Sequence, residues 1–205
     1  MRLANAMAGL MGLTLTLACT TTGMQSGSGA GTMGTMGRMD MRVMQSWPKA
    51  SREAAEFMIG KYGAPAETTP TMMVWGRTGS WKRTVVYNYE VQHDFPGPHT
   101  DVMQQWVDYR VPPDRFDDLA MYDGSVVVNR TNGEMSARCD KEGANFLALN
   151  LANEIITGTR TWTDARQKYG EQIMMMKSGR PAPYTDRLMF TPPMGGTADP
   201  DRPLM

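Results

Sequence analysis

The apolar positions of this chain change period several times, and each change marks an element. From Pro48, SWPKASREAAEFMIGKYGAP places Ala50, Ala54, Phe57, Met58 and Tyr62 on one helical stripe, which Gly63 and Pro65 terminate. TMMVWG (71–76) predicts a short strand. WKRTVVYNYEVQ (81–92) then alternates well. Trp81, Val85, Tyr87, Tyr89 and Val91 fall on one face, and Lys82, Thr84, Asn88, Glu90 and Gln92 on the other. MQQWVDYRV (103–111) reads most simply as a returning strand, though its first half could be helical, and PPDRFDDLAMY (112–122) as a short helix with Pro at its start. In SVVVNRTNGEMSARC (125–139), Asn132-Gly133 sits between two extended runs and predicts a hairpin.

Two helices follow. DKEGANFLALNLANEIITG (140–158) is apolar almost all round, with Asp140 as its expected cap and Gly158 as its stop. A helix of that kind is laid deep against a sheet, and any of Asn145, Asn150 and Asn153 that it buries need partners. TWTDARQKYGEQIMMMKSG (161–179) packs through Trp162, Ala165, Tyr169, Ile173 and Met176. The order of elements predicts an α+β domain, a mainly antiparallel sheet of about five strands with helices packed on one face. It occupies residues 46–191, and the segment 192–205, without an apolar pattern, is expected to be disordered.

The first residues change the picture of where the domain resides. After Arg2, an uncharged run from Leu3 to Ala18 has the length and small-residue ending of a signal peptide and is short for a membrane span. Leu15-Thr16-Leu17-Ala18-Cys19 resembles the lipobox of bacterial lipoprotein precursors, with Thr16 where a branched aliphatic is usual. That resemblance implies cleavage after residue 18, acylation of Cys19 and anchorage in a membrane by its acyl chains. Thr20 is not the aspartate that retains such proteins at an inner membrane. The resemblance therefore implies the periplasmic face of the outer membrane in a cell with two membranes. Residues 19–45 are then a Gly/Met-rich tether, spanning on the order of 25–30 Å if flexible. The helix ending in Tyr-Gly-x-Pro and the strands after it (50–90) are similar to small envelope lipoproteins that help assemble outer-membrane proteins, which implies an envelope protein as partner. Residues 93–157 resemble secreted proteins to which no function is assigned.

Charge excludes little beyond polyanions. The chain has 21 basic and 21 acidic residues, and no Lys/Arg cluster points to nucleic acid. With Cys19 acylated, Cys139 is the one remaining thiol and no disulfide can form.

Three sets of residues could carry chemistry. HDFPGPHTD (93–101) holds both histidines, and across a strand-to-strand loop His93, Asp94, His99 and Asp101 could converge on zinc or a similar divalent ion. The same residues also suit a turn stiffened by Pro96 and Pro98. Met33, Met36, Met39, Met41 and Met44 recur every two or three residues, and spaced thioethers can hold Cu(I). Against this, 21 methionines run through the whole chain, beside 11 leucines. Cys139 precedes a helix, where its thiol would be pushed toward thiolate with help from Arg138; with His93 or His99 as base it could be a nucleophile. No phosphate loop, dinucleotide fingerprint, serine elbow or zinc-protease motif occurs. The expectation is a lipid-anchored envelope protein whose domain binds a partner or ligand without catalysis, with Trp75, Trp81, Tyr87, Tyr89 and Trp106 as candidates for an exposed aromatic surface, although core packing is the commoner use for most of them. A metal-binding protein is the alternative and a Cys139 hydrolase the third reading.

Overall fold

A computed structural model describes residues 42–205. Cys19, Met33, Met36, Met39 and Met41 lie outside the described residues. The elements in order are α1 (Lys49–Tyr62), β1 (Glu67–Thr68), β2 (Met72–Trp75), β3 (Arg83–His93), β4 (His99–Asp108), α2 (Phe116–Tyr122), β5 (Val127–Asn129), β6 (Glu134–Cys139), α3 (Glu142–Ile156) and α4 (Trp162–Lys177). The strands form one antiparallel sheet in the order β1-β2-β3-β4-β6-β5. This is the expected α+β architecture, with the two-residue β1 bringing the strand count to six. No helix among the described residues is long and apolar enough to cross a membrane.

One face of the sheet carries the helices. Met73, Val86, Met103 and Cys139 lie in one cross-strand row and Trp75, Thr84, Gln105 and Ala137 in the next. All eight are buried. Against these rows α1 packs Ala54, Ala55 and Met58, and α3 packs Leu147, Leu149 and Leu151. Each buried Leu or Met contributes roughly 1.5–3 kcal/mol. The inner face is partly polar: Gln105 Nε2 donates to Thr84 Oγ1 (3.2 Å), while Asn145 Nδ2 donates to Gln105 Oε1 (3.0 Å) and to the Met103 carbonyl (3.2 Å). The other asparagines of α3 also have partners. Asn150 Nδ2 donates to the carbonyls of Tyr184 and Arg187, and Asn153 Oδ1 accepts from Tyr109 Oη.

Several expectations are corrected. In β3 the inward residues are Thr84 and Val86; Val85, Tyr87 and Tyr89 face the other side, although Trp81, ahead of the strand, is buried. Trp75 and Trp81 are core residues, so of the five aromatics proposed for a surface only Tyr87, Tyr89 and Trp106 stand on the outer face. There Arg138 stacks on Tyr87 and Tyr89 (4.5 and 5.0 Å) and Arg83 on Trp106 (4.2 Å). Met44, read as the end of a metal-binding tether, is 2% exposed and packs in the core with Trp47 and Met58. Asp140 does not cap α3. Lys141 holds the cap position, with no side chain capping the helix, and Asp140 pairs with Lys141 Nζ (2.5 Å). The segment expected to be disordered is bound to the β5–β6 hairpin between Met194 and Asp201. Arg110 donates to the carbonyls of Gly196, Thr197 and Ala198, and Arg130 pairs with Asp199 and Asp201. Only a glycine fits at 133, where φ is +58° and a Cβ would come within 1.9 Å of the Thr197 carbonyl oxygen.

A buried carboxylate ties α1, the approach to β3 and α3 together. Glu142 accepts from Trp81 Nε1 (2.7 Å) and Tyr62 Oη (2.6 Å) and pairs with Lys61. Burial, with Glu142 beside it, pushes the Tyr62 phenol well above its ordinary range, so it remains a donor. Glu142→Ala orphans two largely buried donors and should cost on the order of 3 kcal/mol, whereas Glu142→Gln keeps an acceptor and should cost about 1 kcal/mol. Urea midpoints at constant slope would measure both; equal stability of Glu142→Ala and the parent would refute the role.

Candidate functional site

The two histidines meet because β3 changes phase. From Arg83 to Val86 the strand pairs regularly with β4, and pairing resumes at Val91↔Asp101 and His93↔His99. Residues 87–90 therefore stand opposite Val102 alone. Three extra residues are an odd number, so β3 turns over: Tyr87 and Tyr89 lie outside, while His93 comes to the side of His99 and Asp101. The loop between the strands, with a cis Phe95–Pro96 peptide, is held down by packing. Phe95 lies 5.1 Å from the ring of Tyr169 on α4, and the Arg166 guanidinium sits 3.8 Å above it.

His93, His99 and Asp101 bring ligand atoms within 4.8 Å of one another and could hold a metal ion. His93 Nδ1 is 3.4 Å from Asp101 Oδ2, and His99 Nε2 is 3.3 Å from Asp101 Oδ1. Bonds of about 2.0–2.2 Å at a tetrahedral angle place neighbouring ligand atoms about 3.3–3.6 Å apart. His93 Nδ1 and Asp101 Oδ1 are buried and make no hydrogen bond among the described residues. The far nitrogen of His99 has an acceptor, and that of His93 faces a carboxylate beyond hydrogen-bond distance. His99 Nδ1 is 2.9 Å from the Gly97 carbonyl, which can only accept, so that nitrogen carries a proton. His93 Nε2 faces Asp123 Oδ1 at 3.7 Å. Metal-binding histidines characteristically have a carbonyl or carboxylate behind the ring in this way.

Of the four residues proposed for the loop, Asp94 is not in the cluster: its exposed carboxylate accepts from Gln92 Nε2 (2.8 Å). Asp123, at the end of α2, stands near His93 instead. No sequence signal marked it, since Asp123-Gly124 reads as an ordinary turn. Burial raises its carboxyl above the usual range, opposed by the Ser125 N–H it accepts (2.8 Å).

Cys139 ends β6 next to His99, but as an unactivated thiol. Burial pushes it above its ordinary range, outweighing the pull of His99, and the neighbouring Asp140 adds to the rise. Successive strand residues point to opposite faces, which sends Arg138 to the outer tyrosines rather than to the sulfur. The expected shift toward thiolate is therefore reversed. His99, in turn, is raised from 6.5 to about 11, first by Asp101 and then by Cys139. That pairing stabilises the fold fully below the ordinary imidazole range and is lost as pH rises through the shifted value.

A cavity of about 480 Å³ opens beside the cluster between the 96–100 loop, the end of β6 and α4, with His99 and Cys139 on its wall. No protein-family model, curated protein or solved structure matches the chain. At pH 7.5, Cys139 should react with iodoacetamide at least about tenfold more slowly than a free cysteine, accelerating only above pH 9. Peptide mass spectrometry over time reads this, and fast labelling below pH 8 would restore the nucleophile.

Proposed function

We propose that this protein is a lipid-anchored metal-binding protein of the cell envelope, holding a divalent cation of the zinc type through His93, His99 and Asp101. The observation that carries the reading is the convergence of two imidazoles and a carboxylate, with each ring 3.3–3.4 Å from an oxygen of Asp101. His93 Nδ1 and Asp101 Oδ1 are buried with nothing closer than these contacts, the far nitrogen of His99 is held by the Gly97 carbonyl, and that of His93 faces Asp123 at 3.7 Å. Two imidazoles and a carboxylate are donors of intermediate to hard character, which suits zinc better than Cu(I). Three protein ligands leave a fourth position for water or a bound molecule. With Met44 in the core, the methionine tether loses one of its donors, and the soft-metal reading has no comparable support. The anchor rests on the lipobox resemblance at Cys19; palmitate labelling that disappears in Cys19→Ala would test it.

A proton and a metal ion compete for His99 Nε2. Since the imidazole pKa stands at about 11, binding at neutral pH must expel a proton. Calorimetry with Zn(II) in buffers of different ionisation enthalpy should give one ion per chain and about one proton released at pH 7. Affinity should rise about tenfold per pH unit through the neutral range. His93→Ala, His99→Ala together should abolish binding, and Asp123→Asn should weaken it by about 10–100-fold. Binding that is absent, or indifferent to the double substitution, would overturn the reading.

A further inference from the structure

The cavity beside His99 has a character of its own. Its volume of about 480 Å³ lies in the range of small-molecule sites, about 300–1,000 Å³. Pro96, Pro98, Ala144, Ile173 and Met176 give it an apolar body. Setting aside His99, whose ring is paired with Asp101, its charged groups are unequal: Lys141 and Lys177 against Asp140 alone. Asp140 is already engaged by Lys141 Nζ (2.5 Å), whereas Lys177 has no ion pair among the described residues. The wall also includes Lys141 and Ala144 at the start of α3, where no side chain caps the helix and the first-turn acid, Glu142, is turned inward to Trp81, Tyr62 and Lys61.

From this arrangement we propose that the cavity binds a small molecule with an apolar body and one anionic group, a carboxylate or sulfonate. The body lies between the prolines of the 96–100 loop and Ile173 and Met176 of α4. The anion lies toward Lys177, Lys141 and the start of α3. No covalent step is involved, and binding does not depend on the metal: His93 and Asp101 are not part of the cavity wall, and His99 contributes to it as a surface.

The test uses the full-length protein and two fluorescent probes, anilinonaphthalene sulfonate and the uncharged phenylnaphthylamine. The sulfonate should bind saturably, one per chain, and about tenfold or more tightly than the uncharged probe. Lys177→Glu, an exposed change that leaves the core untouched, should weaken the sulfonate by about tenfold and leave the uncharged probe unaffected. Ile173→Trp should fill the cavity and remove both, with unaltered circular dichroism as the check on folding; Met176→Trp is the second filling variant should the first unfold. His93→Ala should leave both affinities unchanged, which separates this proposal from the metal reading. Equal affinity for the two probes would overturn the anionic part. Saturable binding that survives cavity filling, or no saturable binding at all, would overturn the site.

Discussion

Residues 87–90 stand opposite a single residue of β4, and the placement of everything at that end of the sheet follows from it. Continued regular pairing would have put Glu90 opposite His99 and left His93 on the outer face with Tyr87 and Tyr89. The inserted residues lose ladder partners on the β4 side, a cost partly offset on the other edge, where Asn88 N–H donates to the Thr71 carbonyl (3.0 Å). The outer face compensates too: the tyrosines thrown outward are stacked under Arg138, with a cation–π contribution of roughly 0.5–1 kcal/mol at a partly exposed site. The gain is positional. His93 and His99 occupy facing strand positions rather than a loose loop, and strand-borne side chains hold ligand geometry more closely than loop-borne ones.

The far wall of the site depends on a different constraint. Cys139, Asp140, Lys141 and Glu142 run from β6 into α3 with almost no connecting loop. Glu142 is drawn inward to Trp81, Tyr62 and Lys61, which fixes where α3 begins. Lys141 is thereby turned outward toward the cavity. A buried carboxylate is weak evidence for net stability, because its desolvation offsets most of what its partners return. What it supplies here is position: three donors from two other parts of the chain converge on one residue, and a shift of α3 by one residue would break all of them. Gln105, Thr84 and Asn145 act in the same sense within the core, as a polar chain that satisfies only one register of α3 on the sheet.

These polar insertions also explain what could be read from the sequence. The helices, the Asn132-Gly133 hairpin and the antiparallel α+β order were legible because each rests on local signals: an apolar period, a left-handed glycine, a turn dipeptide. The facing of β3 was not. Thr84 and Gln105 lie on the helix-covered face while Val85, Tyr87 and Tyr89 lie on the outer one, so hydrophobic alternation alone points the strand the wrong way. The histidine pair and Asp101 were legible as a loop closed on itself, but Asp123 comes from a distant turn that only the folded chain brings near. The docked segment from Met194 to Asp201 was equally hidden, because it binds through its own carbonyls to Arg110, and carbonyls leave no compositional trace.

Electrostatics gives the cluster its sign. Asp101 and Asp123 are two carboxylates buried among two imidazoles, a phenol and a thiol, and desolvating them is costly unless positive charge is close by. The surroundings supply little of it: Arg138 meets Asp101 only at its backbone carbonyl (3.4 Å), and Arg166 is directed to the Tyr122 carbonyl and the Phe95 ring. A proton on His99 answers part of this, and that is why Asp101 holds the imidazole charged far above its usual range. Burial also raises the Asp123 carboxyl above its usual range, the same shortage of positive charge acting on the second acid. A divalent ion between His93, His99 and Asp101 would serve both carboxylates at once, directly for Asp101 and through the His93 ring for Asp123. Buried acid of this kind, short of nearby positive charge, favours a cation over a neutral ligand at this position.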